Sequence, residues 1–261
     1  MLELTLSDIM SPTIISATPD IATSKALELM AVRHISCLLV AEGTTPCGML
    51  TERSIIIKAL EGFQFAEQPL GEAMSTPVVS APPDMGVRAA CELIAEKGIR
   101  HLVVVDDAGE ARGVITLSDI IDALSFEFFC SNAQVSQLMT SNIVTAPKTT
   151  PLREALQGMI DRLHSCLLVV NEHGFSCGVI VERDVAFRII DGKTIDTATV
   201  ANVMRAPLDS VPFNAPMDKV LMYMKRRRAR RLVVTNSDRA IIGLLTQSNI
   251  VKAITRLDSE S

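Results

Sequence analysis

A short polar segment near the middle of the chain carries residue types that can hold a polar or anionic ligand. Thr116, Ser118 and Asp119 directly follow an apolar run, and Arg100 and His101 open the apolar run before it. A carboxylate offers about four acceptor sites, and the N-terminus of a helix favours an anion. The spacing Thr-x-x-Asp is equally typical of a helix capping box. The residues alone leave both interpretations open.

Three other segments occupy the same place in the pattern with different residues. Val181-Glu182-Arg183-Asp184 keeps the carboxylate but has valine where a cap needs a hydroxyl, so capping does not explain Asp184. Thr246-Gln247-Ser248-Asn249 ends in an amide, which binds hydroxyl groups less strongly than a carboxylate. The first segment ends in Ser54. Asp119 and Asp184 are therefore the two carboxylates at this position.

A strongly basic run, Lys225-Arg226-Arg227-Arg228-Ala229-Arg230-Arg231, has six cations in seven positions. It is typical of a helix C-terminus, where cations complement the helix dipole. It could also hold phosphate, because Arg230 and Arg231 match Arg100 and His101 in position. A third interpretation is a nucleic-acid patch, which the acidic first half of the chain disfavours.

The elements that position these side chains follow from an internal repeat. Glycines recur every 65 residues and methionines every 64 or 65: Gly48, Gly113, Gly178, Gly243, and Met10, Met74, Met139, Met204. Each copy predicts the order strand–helix–strand–strand–helix. The approximate limits are 1–68, 69–131, 132–198 and 199–261.

The four copies are of two kinds that alternate along the chain. Glu52-Arg53 recurs as Glu182-Arg183, 130 residues later. A unit of about 60 residues buries too little surface to be comfortably stable alone. We therefore predict an α+β (α/β) fold in which β-α-β-β-α repeats pair as two pseudo-twofold modules, 1–131 and 132–261.

Composition excludes several classes of protein. With 48% hydrophobic and 21% charged residues the chain is not disordered, and 3% aromatic residues give no stacking platform for single-stranded nucleic acid. Residues 1–130 carry 8 Lys and Arg against 18 Asp and Glu, whereas residues 131–261 carry 17 against 12. Halves of opposite charge suggest different ligands, or surfaces that attract one another.

Motif searches predict neither an enzyme nor a metal protein. The chain has no P-loop, no His-Glu-x-x-His and no Gly-x-Ser-x-Gly. Its six cysteines form no Cys-x-x-Cys pair, and its four histidines lack metal-ligand spacing. No catalytic residue, metal ligand or required cofactor is therefore expected. Without a signal sequence or a membrane-length apolar stretch, we expect a cytoplasmic location and no membrane contact.

Several motifs resemble those of cystathionine-β-synthase (CBS) domains. They are Asp8-Ile9-Met10-Ser11, the strand Leu102-Val103-Val104-Val105-Asp106, and Gly113-Val114-Ile115-Thr116-Leu117-Ser118-Asp119-Ile120. The resemblance covers essentially the whole chain as four repeats forming two Bateman modules. It implies clefts between paired repeats that bind adenosine derivatives such as AMP, ADP, ATP or S-adenosylmethionine.

The resemblance also implies roles for individual residues. Asp119 would accept the ribose hydroxyls, Thr116 and Ser118 would contact ribose or phosphate, and Arg100 and His101 would meet phosphate. The opposite wall of that cleft would contain Ile35, Ser36, Cys37, Ser11 and Pro12. A second cleft would contain Asp184, Arg183, Arg205, Ala206, Arg230 and Arg231.

Two main classes of function follow. The first is a non-enzymatic sensor that binds an adenosine-type small molecule and signals to an unidentified protein partner. The alternative is a ligand-free interaction scaffold whose clefts are filled by side chains. Nucleic-acid binding through residues 225–231 is a more remote third. The chain could close a disk of four repeats by itself, or two chains could form a homodimer.

Overall fold

A computed structural model describes residues 4–123, 133–206 and 209–256 of the 261-residue chain. The chain forms two compact units, each assembled from separate stretches of sequence. The first unit contains Met1–Ile14, Val79–Ile143 and Asp209–Ser261, and the second contains Ile15–Val78 and Val144–Leu208. Each unit holds two small three-stranded sheets with helices, which confirms the predicted α+β class.

The first unit contains the sheets of the second and fourth repeats. Its helices are α1 (Leu6–Ile9), α5 (Val87–Lys97), α6 (Leu117–Ala123), α7 (Val135–Leu138), α10 (Met217–Arg227) and α11 (Gln247–Arg256). Its strands are β4 (Ser80–Ala81), β5 (His101–Val105), β6 (Ala111–Thr116), β10 (Ser210–Pro212), β11 (Arg231–Thr235) and β12 (Ile241–Thr246).

The second unit contains the sheets of the first and third repeats. Its helices are α2 (Thr23–Arg33), α3 (Glu52–Leu60), α4 (Leu70–Ala73), α8 (Leu152–Asp161) and α9 (Glu182–Ile190), with a 3₁₀ turn at Val200–Asn202. Its strands are β1 (Ser16–Ala17), β2 (Cys37–Glu42), β3 (Thr45–Thr51), β7 (Thr145–Pro147), β8 (Cys166–Val170) and β9 (Ser176–Val181).

Every sheet has the same topology. A short first strand runs parallel to the second, and the second runs antiparallel to the third, as in the order β4-β5-β6. The parallel connection passes through a helix, as parallel crossovers usually do. The antiparallel pair is a hairpin whose register shifts near its turn, for example between Val104 and Val105. This register places His101 opposite Thr116, so the two ends of the predicted site face each other.

The structure adds a short leading turn that the repeat pattern does not predict. Helices α1, α4 and α7 and the 3₁₀ turn each span only three or four residues, so they show no helical periodicity in the sequence. Each of the four periodic methionines lies just after one of these turns, as Met10 does after α1.

The periodic glycines and methionines form pairs between neighbouring repeats. A Cβ atom added to Gly113 would lie 2.7 Å from Met10 Sδ and 2.9 Å from Ser11 O, and Gly48 is crowded in the same way by Met74. Gly178 faces Met204, and Gly243 faces Met139. The segment that begins one repeat therefore packs on the third strand of its sequence neighbour. This close approach requires glycine at the 65-residue interval.

We call the segments that begin one repeat and pack on its neighbour the exchanged segments. Main-chain hydrogen bonds fix them in place. Ser11 N donates to Val114 O and Val114 N donates to Ser11 O, both at 3.1 Å. Arg205 and Val179 form the same pair at 2.9 and 3.0 Å. Both of these pairs join neighbouring repeats within one half of the sequence. Each compact unit nevertheless draws on both halves, and the module limits 1–131 and 132–261 stay a prediction. The boundary at 131/132 lies outside the described residues.

The cores are aliphatic, as the composition predicts. In the first unit one cluster combines Leu102 and Ile120 with Leu232 and Ile250, so both sheets share one core. In the second unit Ile56 of α3 packs with the third repeat, and Ala186 of α9 packs with the first. Within the described residues, no helix has the length and apolar character needed to cross a bilayer.

Candidate nucleotide sites

The start of the second helix in three repeats is closed by a capping box. Asp119 Oδ2 accepts hydrogen bonds from Thr116 N and Thr116 Oγ1, both at 2.7 Å. Asn249 accepts the equivalent pair from Thr246 at 3.0 and 2.6 Å. The capping interpretation of Asp119 is therefore confirmed. The cap leaves hydrogen-bond acceptor capacity on the Asp119 carboxylate, because its two oxygens offer about four acceptor sites.

Asp184 differs from Asp119 because Val181 has no polar side-chain atom. The Asp184 side chain is 5% exposed and forms an ion pair with Arg205, whose side chain is 68% exposed. Arg205 belongs to the exchanged segment that follows the 3₁₀ turn, and Ala206 next to it is exposed. The structure thus brings Arg205 onto the carboxylate that the sequence predicts it to accompany.

Arg183 contacts protein groups across the second unit. It donates to His34 O at 2.7 Å, and its Nε lies 3.7 Å from Glu52 Oε1. Its counterpart Arg53 donates to His164 O at 2.8 Å and to Glu182 Oε1 at 2.7 Å. We call these four side chains the Glu-Arg clamp: Glu52, Arg53, Glu182 and Arg183. The sequence predicts Arg183 as a binding residue of the second cleft, and it shows Glu52, Arg53 and Glu182 only as markers of the repeat.

The first unit has an uncharged version of this clamp. Gln247 Nε2 donates to Ser118 Oγ at 3.0 Å. Ser118 occupies the position of Arg53 and Arg183, and Gln247 occupies that of Glu52 and Glu182. The Ser118 hydroxyl, which the sequence assigns to ribose or phosphate, is therefore engaged between α6 and α11.

Cationic groups gather where β5 and β11 begin. Burial, with the positive charges of Arg100 and then Arg230, lowers the pKa of His101 to about 3. Arg230 follows the fourth-repeat helix, and Gln247 N donates to its carbonyl at 3.1 Å. Arg231 pairs in register with Thr246. Arg100, His101 and Arg230 therefore lie close together, and the two positive charges favour the binding of an anion there.

The state of His101 leads to a stability prediction. The unfolded chain takes up a proton near pH 6.5 but the folded chain does not, so stability is complete above that pH and decreases below it. From pH 7.0 to 5.5 we expect His101 to contribute a loss of about 1.2 kcal/mol in the free energy of unfolding. Urea denaturation at both pH values measures this.

The matched variants are His101→Gln and His173→Gln, of which His173 is an exposed turn residue. His101→Gln should reduce the pH-dependent loss by about 1.2 kcal/mol, and His173→Gln should leave it unchanged. An equal pH dependence in the wild type and His101→Gln would contradict the prediction.

The remaining predicted residues lie on two different segments. Ser11 and Pro12 run beside β6 in the first unit, next to Gly113. Ile35, Ser36 and Cys37 lie in the second unit at the start of β2, directly after the His34 carbonyl that Arg183 binds. That they line a cleft with Asp119 stays a prediction.

The basic run ends a helix, as one of its interpretations predicts. Lys225, Arg226 and Arg227 form the last turn of α10, and Arg228 is its left-handed cap residue at φ 51°. Lys225 Nζ lies 3.6 Å from Asp122 Oδ1, and an Arg227 nitrogen lies 3.9 Å from Asp209 Oδ1. Part of the positive charge is thus compensated within the first unit.

Comparison with known proteins identifies the repeats. The model of the CBS domain family matches residues 6–61, 70–126, 135–191 and 200–256. Each matched range lies within one repeat. Among solved structures, protein MJ1225 of Methanocaldococcus jannaschii has a TM-score of 0.86 at 19% identity, covering 96% of this chain and 99% of that one. That likeness shows a shared fold.

Curated relatives include proteins of different kinds. Uncharacterized protein MJ1404 of Methanocaldococcus jannaschii is 27% identical over 72% of this chain and 44% of its own length. Inosine-5'-monophosphate dehydrogenase of Chlorobaculum parvum is 25% identical over 74% of this chain and 40% of its own length. The chain therefore spans less than half the length of these two relatives, one of which is an enzyme.

Proposed function

The chain belongs to the CBS domain family, with four CBS domains in tandem that make two Bateman modules, and from that premise we propose that it is a non-enzymatic regulatory protein. Its ligand is an adenosine derivative, either an adenine nucleotide or S-adenosylmethionine. Ligand occupancy is passed to a protein partner. A ligand changes such a protein only through different affinities for its two states.

One observation carries the proposal: Asp184 is a buried carboxylate at the start of a helix whose N-cap residue, Val181, has no hydroxyl for a capping box. Burial of a carboxylate is unfavourable unless charged or hydrogen-bonding groups compensate it. A site that holds a diol gives a reason for keeping such a group, because vicinal hydroxyls donate to both carboxylate oxygens. Arg205 beside it supplies charge for a phosphate.

A second site is proposed at Asp119 in the first unit. Its carboxylate caps α6 with Oδ2 and has capacity for a ribose hydroxyl besides. The cations Arg100 and Arg230, with the neutral imidazole of His101 near them, provide an anion-binding neighbourhood in the same unit. An anion bound there would also favour protonation of His101.

Isothermal titration calorimetry of the full chain with AMP, ADP, ATP and S-adenosylmethionine tests the proposal. At least one of the four should bind, and Asp119→Asn and Asp184→Asn should each weaken one binding event by about tenfold or more, because a charge-assisted hydrogen bond is lost. Asn249 caps its helix as an amide, so Asp119→Asn preserves the cap.

The matched control is Asp8→Asn. Asp8 caps α1 through the same two hydrogen bonds from Thr5, both at 2.8 Å, and is exposed. Its replacement should leave binding unchanged. Absence of binding by all four ligands, or wild-type binding by both site variants, would contradict the proposal and favour the ligand-free scaffold.

A further inference from the structure

The two aligned carboxylates have different protein partners. Asp119 accepts hydrogen bonds from Thr116 of its own helix start. Asp184 instead forms an ion pair with Arg205, which is 21 residues away and belongs to the exchanged segment. The same position in two repeats is therefore held by a local cap in one and by a remote cation in the other.

Arg205 combines a fixed backbone with an exposed side chain. Its backbone is fixed on β9 by the two hydrogen bonds with Val179. Its side chain is 68% exposed, whereas that of Asp184 is 5% exposed. An arginine is charged at all relevant pH values and binds carboxylate and phosphate with the same fork of donors. Arg205 can therefore exchange one anion for the other without moving its main chain.

We propose that Arg205 is an internal occupant of the ribose-binding carboxylate, which makes the second-unit site selective for phosphorylated adenosine derivatives over adenosine. The inference rests on the proposed function. A ribose diol that donates to Asp184 displaces the guanidinium. A phosphate on the same ligand gives the guanidinium a new anionic partner, whereas adenosine returns it to water.

The physical basis of the selectivity is that only one of the two ligands offers Arg205 a new anionic partner. Both ligands break the Asp184–Arg205 ion pair, but AMP replaces it with an Arg205–phosphate pair. A hydrogen bond between charged groups contributes about 1.5–3 kcal/mol, which corresponds to about 10- to 150-fold in affinity. We expect AMP to bind at least tenfold more tightly than adenosine.

The test is calorimetric titration of the full chain with AMP and with adenosine. An Asp119→Asn background weakens the first-unit site, so that the second-unit site dominates the measured binding. The variant is Arg205→Gln, and the control is Arg112→Gln, because Arg112 is an exposed arginine that pairs with Asp106 in the first unit. Arg205→Lys, which keeps the positive charge, is the second variant to be measured if Arg205→Gln does not fold.

The expected result is a loss of discrimination. In Arg205→Gln adenosine should bind about threefold or more tightly than before and AMP more weakly, which brings the two within about threefold. Arg205→Lys should keep AMP at least threefold ahead, and Arg112→Gln should keep the full ratio. An unchanged ratio of AMP affinity to adenosine affinity in Arg205→Gln, or an equal loss of affinity for both ligands, would overturn this inference and leave the proposed function standing. Failure of both ligands to bind the wild type and Arg205→Gln would overturn the inference, and the proposed function falls with it only when ADP, ATP and S-adenosylmethionine also fail to bind.

Discussion

Replacing Arg53 with alanine should lower the free energy of unfolding by about 3–5 kcal/mol. Arg53 and Glu182 form one of the two pairs of the Glu-Arg clamp. Arg53 Nε lies 2.7 Å from Glu182 Oε1, and the Glu182 side chain is 1% exposed. Alanine removes the cation that compensates the buried carboxylate of Glu182, and it also removes the hydrogen bond to His164 O. Urea denaturation followed by circular dichroism measures the change.

Two further variants separate this effect from a general loss of charge. Arg88→Ala removes an exposed arginine that lies 3.7 Å from Glu92 on α5, and it should change stability by less than about 0.5 kcal/mol. The double variant Arg53→Met/Glu182→Leu should recover most of the loss, because apolar groups of similar volume replace a buried pair well. A loss below 1 kcal/mol for Arg53→Ala would contradict the structural role of the clamp.

Alanine at Gly113 should destabilise the first unit by about 2 kcal/mol. The added methyl group would meet the Met10 side chain and, at 2.9 Å, the backbone oxygen of Ser11. Met10 can adjust its rotamer, but the Ser11 oxygen is held by the hydrogen bond with Val114. The exchanged segment must therefore shift away from β6, and the expected result is a lower unfolding midpoint.

Gly158→Ala is the matched control for this substitution. Gly158 lies inside α8, and an added Cβ would have open space around it. Alanine there should stabilise the protein by about 1 kcal/mol through helix propensity. Opposite signs for the two substitutions support the packing argument, whereas a neutral or stabilising Gly113→Ala would contradict it.

The repeat and its fold could be predicted from the sequence because the same residue types return at the same place in every copy. Glycine recurs at intervals of 65 residues and methionine at intervals of 64 or 65, because Gly113 and its counterparts must be small where Met10 and its counterparts pack on them. Their spacing does not say which sheet each methionine packs on. The exchange between neighbouring repeats therefore emerged only from the structure.

The site could be predicted in part. The contrast between Thr116 and Val181 is visible in the sequence. It leaves capping and ligand binding both open for Asp119, and it makes capping the poorer explanation for Asp184. Long-range contacts were beyond reach: nothing local to Arg183 indicates that it binds the His34 carbonyl, or that Ser118 faces Gln247. Such pairings depend on which repeats share a unit, and sequence spacing does not specify that.

The stoichiometry of AMP binding tests the central claim most directly. Equilibrium dialysis of the full chain with labelled AMP, at a concentration just high enough to fill the wild-type sites, should give about two bound nucleotides per chain. It should give about one in each of the single variants Asp119→Asn and Asp184→Asn, and only a small fraction of one in the double variant. No bound AMP in the wild-type protein, or two per chain in the double variant, would contradict binding at these two carboxylates.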